Sequence, residues 1–165
     1  MIQQPDISSL IELLGLEPHP LEGGFFRRTY TAKVHGEINN KKTPIASSIF
    51  YLLTSDAPSG VLHRNRSDII HCYHGKGAIR YYLVSPSGQL STVTLGWDLA
   101  AGEQLQLVVP GGYWKASMLV SGDYGLISEV VAPAFDFADH EVANSTTIQN
   151  LSKQARELLS PFVLG

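Results

Sequence analysis

The stretch Gly60-Val61-Leu62-His63-Arg64-Asn65-Arg66-Ser67-Asp68-Ile69-Ile70-His71-Cys72-Tyr73-His74-Gly75 reads as two β-strands around a polar turn. Val61–Arg64 and Ile69–His74 are extended, apolar-rich runs, and Asn65-Arg66-Ser67-Asp68 interrupts them. Further on, Val108-Val109-Pro110-Gly111-Gly112-Tyr113-Trp114-Lys115-Ala116 repeats the design: a strand, a Pro-Gly-Gly turn and a strand. Working outward, Phe26–Ala32, Ile45–Thr54, Ala78–Val84, Leu90–Leu95, Gln104–Val109, Trp114–Val120 and Leu126–Val131 add seven more such runs. Gln104–Leu107 and Ser91–Leu95 alternate as half-buried antiparallel strands do. Short strands at this close spacing predict an all-β sandwich or barrel.

Helices are expected only at the two ends. Asp6 can cap a first helix whose Ile7, Leu10, Ile11 and Leu14 share one face, with Gly15 as its stop. A last helix is expected over about Thr147–Ser160, with Ile148, Leu151, Ala155, Leu158 and Leu159 as its stripe and Pro161 ending it. His35–Thr43 is polar and reads as an exposed loop. No internal repeat or linker divides the 165 residues, so residues 1–165 are read as one domain.

Composition narrows the function classes. Charged residues make up 16% and the formal net charge is −3, which supplies no basic surface for nucleic acid or an anionic membrane. Cys72 is the single cysteine, so neither an internal disulfide nor a cysteine-based zinc cluster can form. As a lone Cys in a strand it reads as a small buried hydrophobe, not a nucleophile. Met1–Glu12 lacks the basic-then-apolar pattern of a secretory signal, and a cytoplasmic location is expected.

The two opening stretches together resemble the two signature motifs of the cupin superfamily. Gly60, His63, Gly75, Pro110 and Gly112 stand at or near the expected places, with Gly102 and Glu103 near the start of the second motif. The chain further resembles one cupin family, described as sugar-epimerase-like cupins of unknown function. That likeness is carried by Pro18–Tyr30, Ser47–Leu53, His63-Arg64 with Ser67-Asp68, and Val131–Phe137. It implies a double-stranded β-helix, the jelly-roll barrel of cupins, with an N-terminal and a C-terminal helix. It also implies one pocket inside the barrel and a homodimer, for which the Phe25–Tyr30 strand is a candidate for exchange between copies.

The departures from the motifs bear on metal. Asn65 occupies the second histidine position, the glutamate position falls at Asp68 or Ile69, and Lys115 replaces the second-motif histidine. A divalent ion wants three or four N or O ligands, and a lysine cation opposes it. His71 and His74 have opposite parity in one strand, so they do not readily complete a set. The expectation is a cupin without metal or other cofactor.

A more distant resemblance is to dTDP-4-keto-6-deoxyhexose 3,5-epimerases. Glu22–Tyr30 looks like their nucleotide-contacting segment, and Gly60–Arg64 like the strand bearing their catalytic base. The resemblance implies His63 as a base α to a ketone, with Asp68 holding its ring. The acid is a tyrosine on a late strand that matches Leu126–Glu129 here, where Ser128 and Glu129 stand instead. Tyr113, Tyr73 and Tyr124 are the substitutes, and Tyr113 is taken as the catalytic candidate. Glu22, Arg28, Arg64, Tyr73 and Lys115 are the substrate-binding candidates. If strand parity holds, Tyr113 and Lys115 share a face and Trp114 takes the other. Lys115 then either binds an anion or enolate inside the barrel or reaches to water from its rim.

The expected function is therefore a metal-independent cupin that binds a small molecule, a sugar or nucleotide sugar, and epimerises or isomerises it. The rival is a non-catalytic ligand-binding cupin, and a metal-dependent cupin enzyme comes third. The fold alone does not choose among them.

Overall fold

A computed structural model describes residues 5–38 and 40–164. Helix α1 (Ile7–Leu14) precedes strands β1 (Glu17–Pro18), β2 (Phe25–Thr31), β3 (His35–Ile38), β4 (Lys41–Pro44), β5 (Ser47–Thr54) and β6 (Ser59–Asn65). Strands β7 (Asp68–Lys76), β8 (Ile79–Val84), β9 (Leu90–Leu95), β10 (Gln106–Val109), β11 (Trp114–Leu119), β12 (Tyr124–Ala132) and β13 (His140–Val142) follow. Helices α2 (Ser145–Gln149) and α3 (Lys153–Leu159) come last.

Two antiparallel sheets face each other. One has the order β1-β2-β5-β12-β7-β10 and the other β13-β6-β11-β8-β9, while β3 and β4 form a separate hairpin. This is the double-sheet jelly roll of the sequence reading. Alternation decides what each sheet turns inward. Ile69, His71 and Tyr73 of β7 and Ile127, Glu129 and Val131 of β12 are buried, with half-buried or exposed neighbours between them. Tyr51, Leu53, Ile79, Tyr81, Leu83, Leu95 and Ile127 fill the space between the sheets.

The helices cover the outer faces. Leu10 of α1 packs with Leu16, Leu52 and Tyr124 behind the six-stranded sheet. Ala155 and Leu159 of α3 pack with Leu62, Tyr82, Val84 and Trp114 behind the other. Leu159 is fully buried, and burial of one such side chain is worth roughly 1.5–3 kcal/mol. Among the described residues no helix is long and apolar enough to cross a membrane.

Three expectations are corrected. The terminal helix over Thr147–Ser160 is two short helices, because Asn144 caps α2 and Ser152 accepts the Ala155 N–H to start α3 afresh. The polar stretch His35–Thr43 is a hairpin, with His35 paired to Pro44 and Ile38 to Lys41. Cys72 is half-buried, on the outward side of β7, with Gln106 Nε2 3.6 Å from its sulfur.

Candidate functional site

The first functional side chain comes from the loop ahead of the barrel. His19 Nδ1 accepts the backbone N–H groups of Leu21 and Glu22 at 3.3 and 2.9 Å, which folds the loop back on itself. Val61 N–H donates to the Glu22 carbonyl at 2.8 Å and ties the loop to β6. Gly23 and Gly24 adopt φ of +82° and +67°, and a Cβ on either would lie 2.7 Å or less from a backbone oxygen, Ser59 O or Leu52 O. The loop therefore aims the Glu22 side chain into the barrel, where it is only 7% exposed.

Three imidazoles surround that carboxylate. His140 Nε2 lies 2.8 Å from Oε1, His19 Nε2 lies 3.9 Å from Oε1, and His63 Nε2 lies 3.4 Å from Oε2. His63 donates Nδ1–H to the Val61 carbonyl at 2.8 Å. Its proton is thus on Nδ1, and its Nε2 is buried without a hydrogen-bond partner. Burial raises the Glu22 carboxyl, but His63, the hydrogen bond with His140, and Lys115 outweigh it and hold the group near 2. Burial pushes His63 down to about 4, against the pull of Glu22. With His63 neutral near pH 7 its charge no longer acts on Glu22, and the His140 hydrogen bond and the Lys115 ammonium keep the carboxylate ionised.

A second cluster faces it. Glu129 on β12, His71 on β7 and Lys115 on β11 point inward, and all three are almost fully buried. Lys115 Nζ donates to His71 Nε2 at 3.3 Å and lies 3.4 Å from both Glu129 oxygens. His71 Nδ1 lies 3.2 Å from Glu129 Oε1. Because Nε2 accepts from an ammonium, Nδ1 carries the ring proton and donates it to the carboxylate. Burial alone would raise Glu129, but Lys115 and His71 hold it well below the usual carboxylate range. Burial and the neighbouring Lys115 lower His71.

Both clusters reach one cavity of about 220 Å³. Its walls include Glu22, His19, Glu129, Asn65 and Arg28, with Phe26, Phe135 and Phe137 supplying aromatic faces. Drug-sized ligands fill pockets of roughly 300–1,000 Å³, so this one suits a smaller molecule.

Of the sequence candidates, Glu22 and Arg28 line this cavity. Lys115 stands inside the barrel behind Glu129, as strand parity requires, with Trp114 turned to the helix-covered face. His63 lies behind Glu22 and is not on the cavity wall. Asp68 does not hold the His63 ring: its Oδ1 accepts the Gly111 N–H at 2.8 Å, and the carboxylate beside His63 is Glu22. Arg64 points outward, over the Trp114 ring at 4.6 Å and paired with Glu141. Tyr73 donates to the Gly77 carbonyl at 3.1 Å, and Tyr113 packs against the inner core; neither lines the cavity. His74 is exposed and bonds Ser128 Oγ. The positions where cupin motifs place metal ligands do not fit an ion, since Asn65 and Lys115 fill two of them and the Lys115 ammonium is itself the local cation.

Sequence reasoning missed His19, His140 and Glu129 as site residues. For Glu129 a signal exists: it shares the inward parity of Ile127 and Val131. His140 lies on the three-residue strand β13, too short for a periodic signal.

Comparison with known proteins agrees with this architecture. A model of the family described as cupin superfamily, DUF985, matches residues 8–143. An uncharacterised Saccharomyces cerevisiae protein, YML079W, is 44% identical across 72% of this chain, and the chain spans 66% of that protein's length, just under two thirds. A hypothetical protein from Leishmania major superposes with a TM-score of 0.88 at 25% identity, covering 98% of this chain and 100% of that one. Protein SO0799 from Shewanella oneidensis superposes at 0.87 with 29% identity, covering 98% and 99%. A cupin 2 conserved barrel protein from Rhodopseudomonas palustris, at 0.56 and 13% identity over 89% of this chain and 85% of that one, shares the fold alone. Jelly-roll topology, the two motif stretches and the family match converge: the chain belongs to the DUF985 family of the cupin superfamily.

Proposed function

We propose that the barrel cavity binds a small, hydroxyl-rich molecule of the sugar class. One observation carries this reading: two buried carboxylates, Glu22 and Glu129, are held ionised on the wall of a single small cavity. Ionised carboxylates are pure acceptors, so the ligand must bring O–H or N–H donors. Phe26, Phe135 and Phe137 cover an apolar ring face, and Arg28 leaves an anionic substituent a partner. A panel of monosaccharides, sugar acids and sugar nucleotides tests this by calorimetry or ligand-observed NMR. Saturable binding is expected, weakened about ten- to a hundredfold by Glu129→Gln, since a hydrogen bond to a charged group is worth about 1.5–3 kcal/mol. Absence of saturable binding across the panel overturns the reading.

Epimerisation or isomerisation is a second reading, favoured by one observation. Glu129 stands on the late strand where the epimerase resemblance places an acid, and it reaches the cavity together with Glu22. One carboxylate takes the C–H proton next to the ligand's carbonyl, and the carbon regains a proton from the other after that group has been protonated from solvent. Both groups are strong acceptors and weak bases, so binding comes first and catalysis second. Incorporation of deuterium from D₂O into a bound keto-sugar, lost in Glu129→Gln, supports the enzyme; binding without exchange leaves a ligand-binding protein.

A homodimer is proposed as the working assembly, with exposed Tyr30, Val34 and Ile45 as its apolar contact strip. β2 pairs with β5 of its own chain, so the contact needs no strand exchange. Light scattering at micromolar concentration tests it, a monomer mass being the contrary result. A cytoplasmic site of action is proposed with it, supported by the single unpaired Cys72.

A further inference from the structure

We infer that Glu22, His63 and His140 form a binding site for one divalent transition-metal ion. Their ligand atoms lie within 4.8 Å of one another, and all three side chains are buried. The set is two imidazoles and one carboxylate, a combination that zinc and ferrous centres use with one position open to substrate or water.

The unpartnered nitrogen gives the site its direction. Val61 O accepts the Nδ1 proton of His63, so Nε2 offers a lone pair. That lone pair faces Glu22 Oε2 across 3.4 Å and has no hydrogen-bond partner of its own. Two electron-rich atoms opposed in a dry interior is an unfavourable arrangement that a cation between them relieves. The Nδ1–H bond to a backbone carbonyl is also the usual way a metal-binding imidazole is oriented. Charge balance agrees. Lys115 pairs with Glu129, whereas no lysine or arginine among the described residues pairs with Glu22.

One rearrangement is needed. His140 Nε2 now carries a proton and donates it to Glu22 Oε1 at 2.8 Å. On metal binding that proton leaves Nε2, and Nδ1 of the same ring takes one up through solvent. His63 already has the required tautomer, so the rearrangement is confined to the His140 ring and moves its proton from one nitrogen to the other. The site shares only His63 with the cupin motif positions. Glu22 and His140 lie outside both motifs, which is why the motif residues alone point to a metal-free protein. The inference is independent of the ligand reading, because it is tested with the metal alone.

The experiment is titration of chelator-treated full-length protein with Zn²⁺ by calorimetry and with Co²⁺ by visible absorption. One equivalent is expected, with d–d bands of a low-symmetry Co²⁺ site. Glu22→Gln, His63→Gln and His140→Gln should each weaken binding more than about tenfold, the least seen even for supporting residues of such sites. His35→Ala and His74→Ala, at exposed residues, should leave it unchanged. Should the buried variants fail to fold, imidazole ¹H–¹⁵N spectra of the unaltered protein decide: Zn²⁺ should shift Nε2 of two of the six histidines, His63 and His140. No binding up to millimolar metal, or binding that leaves the His63 Nε2 resonance unmoved, overturns the proposal.

Discussion

Lys115 and Glu129 form a buried ion pair, Nζ 3.4 Å from the carboxylate, with the two residues 3% and 6% exposed. His71 bridges them, accepting from the ammonium and donating to the carboxylate. Each charge in this trio is answered by another inside the barrel. Removing one partner of such a pair costs far more than removing both, because the survivor stays buried and uncompensated. Lys115→Met should therefore destabilise the protein by roughly 3–5 kcal/mol. The double variant Lys115→Met with Glu129→Gln should recover a large part of that loss. Denaturant unfolding of the four proteins in the cycle measures it; strictly additive losses would show that the pair is not coupled.

Stability should fall on mild acidification, and His71 should contribute to the fall. Burial, with Lys115 beside it, lowers its proton affinity in the folded chain below the ordinary 6.5. The unfolded chain therefore binds the proton first, and the stability present above pH 6.5 is lost as the pH drops below it. Glu129 is lowered too, and its contribution is lost only at lower pH, below the ordinary 4.5. Urea unfolding at pH 7.5 and pH 5 should show the decrease. His71→Gln, which keeps an acceptor for Lys115 and a donor for Glu129, should lessen the decrease without abolishing it, because buried His63 is lowered as well.

Asp68 and Arg64 should prove structural. Asp68 caps the turn at Gly111, and Asp68→Ala should cost about 1 kcal/mol for the lost hydrogen bond. Arg64→Ala should cost about 0.5–1 kcal/mol for its stacking on Trp114. Neither should change affinity for the cavity ligand. A loss of binding with an intact fold in either variant would return these residues to the site.

Gly24→Ala should damage both fold and binding. Its φ is +67°, and an added Cβ would meet Leu52 O at 2.6 Å. Gly88 has a similar φ of +85° but open space around it. Gly88→Ala then reports the backbone strain alone, about 1–3 kcal/mol. Gly24→Ala should exceed it and weaken ligand binding through a displaced Glu22. Thermal melts beside the binding assay compare the two.

The barrel was legible in the sequence because its strands carry their own signals. All nine extended runs became strands, and Asp6 and Gly15 cap α1 as their chemistry requires. What the sequence concealed was distant along the chain but close in space. Asp68, five residues past His63, was the obvious carboxylate partner, yet the turn sends it to Gly111. The true neighbour, Glu22, arrives from the loop before β2, and His140 from a three-residue edge strand paired with β6. Parity could place Lys115 inside the barrel, but not which carboxylate would answer it. Periodicity reports faces of elements; it carries nothing about which loops close over them.

The loop of residues 19–24 has a wider consequence. It lies outside the paired strands, fastened through His19, through the Val61 N–H and through Tyr51 Oη on the Gly23 carbonyl. Glu22 thus comes from a loop, whereas Glu129 belongs to strand β12 of the barrel. A chain could keep every barrel strand, with Glu129, His71 and Lys115 in place, and still change the opposite wall of the cavity by rewriting half a dozen residues ahead of β2. The same partition makes this loop the natural place to graft a new function onto an otherwise unaltered barrel.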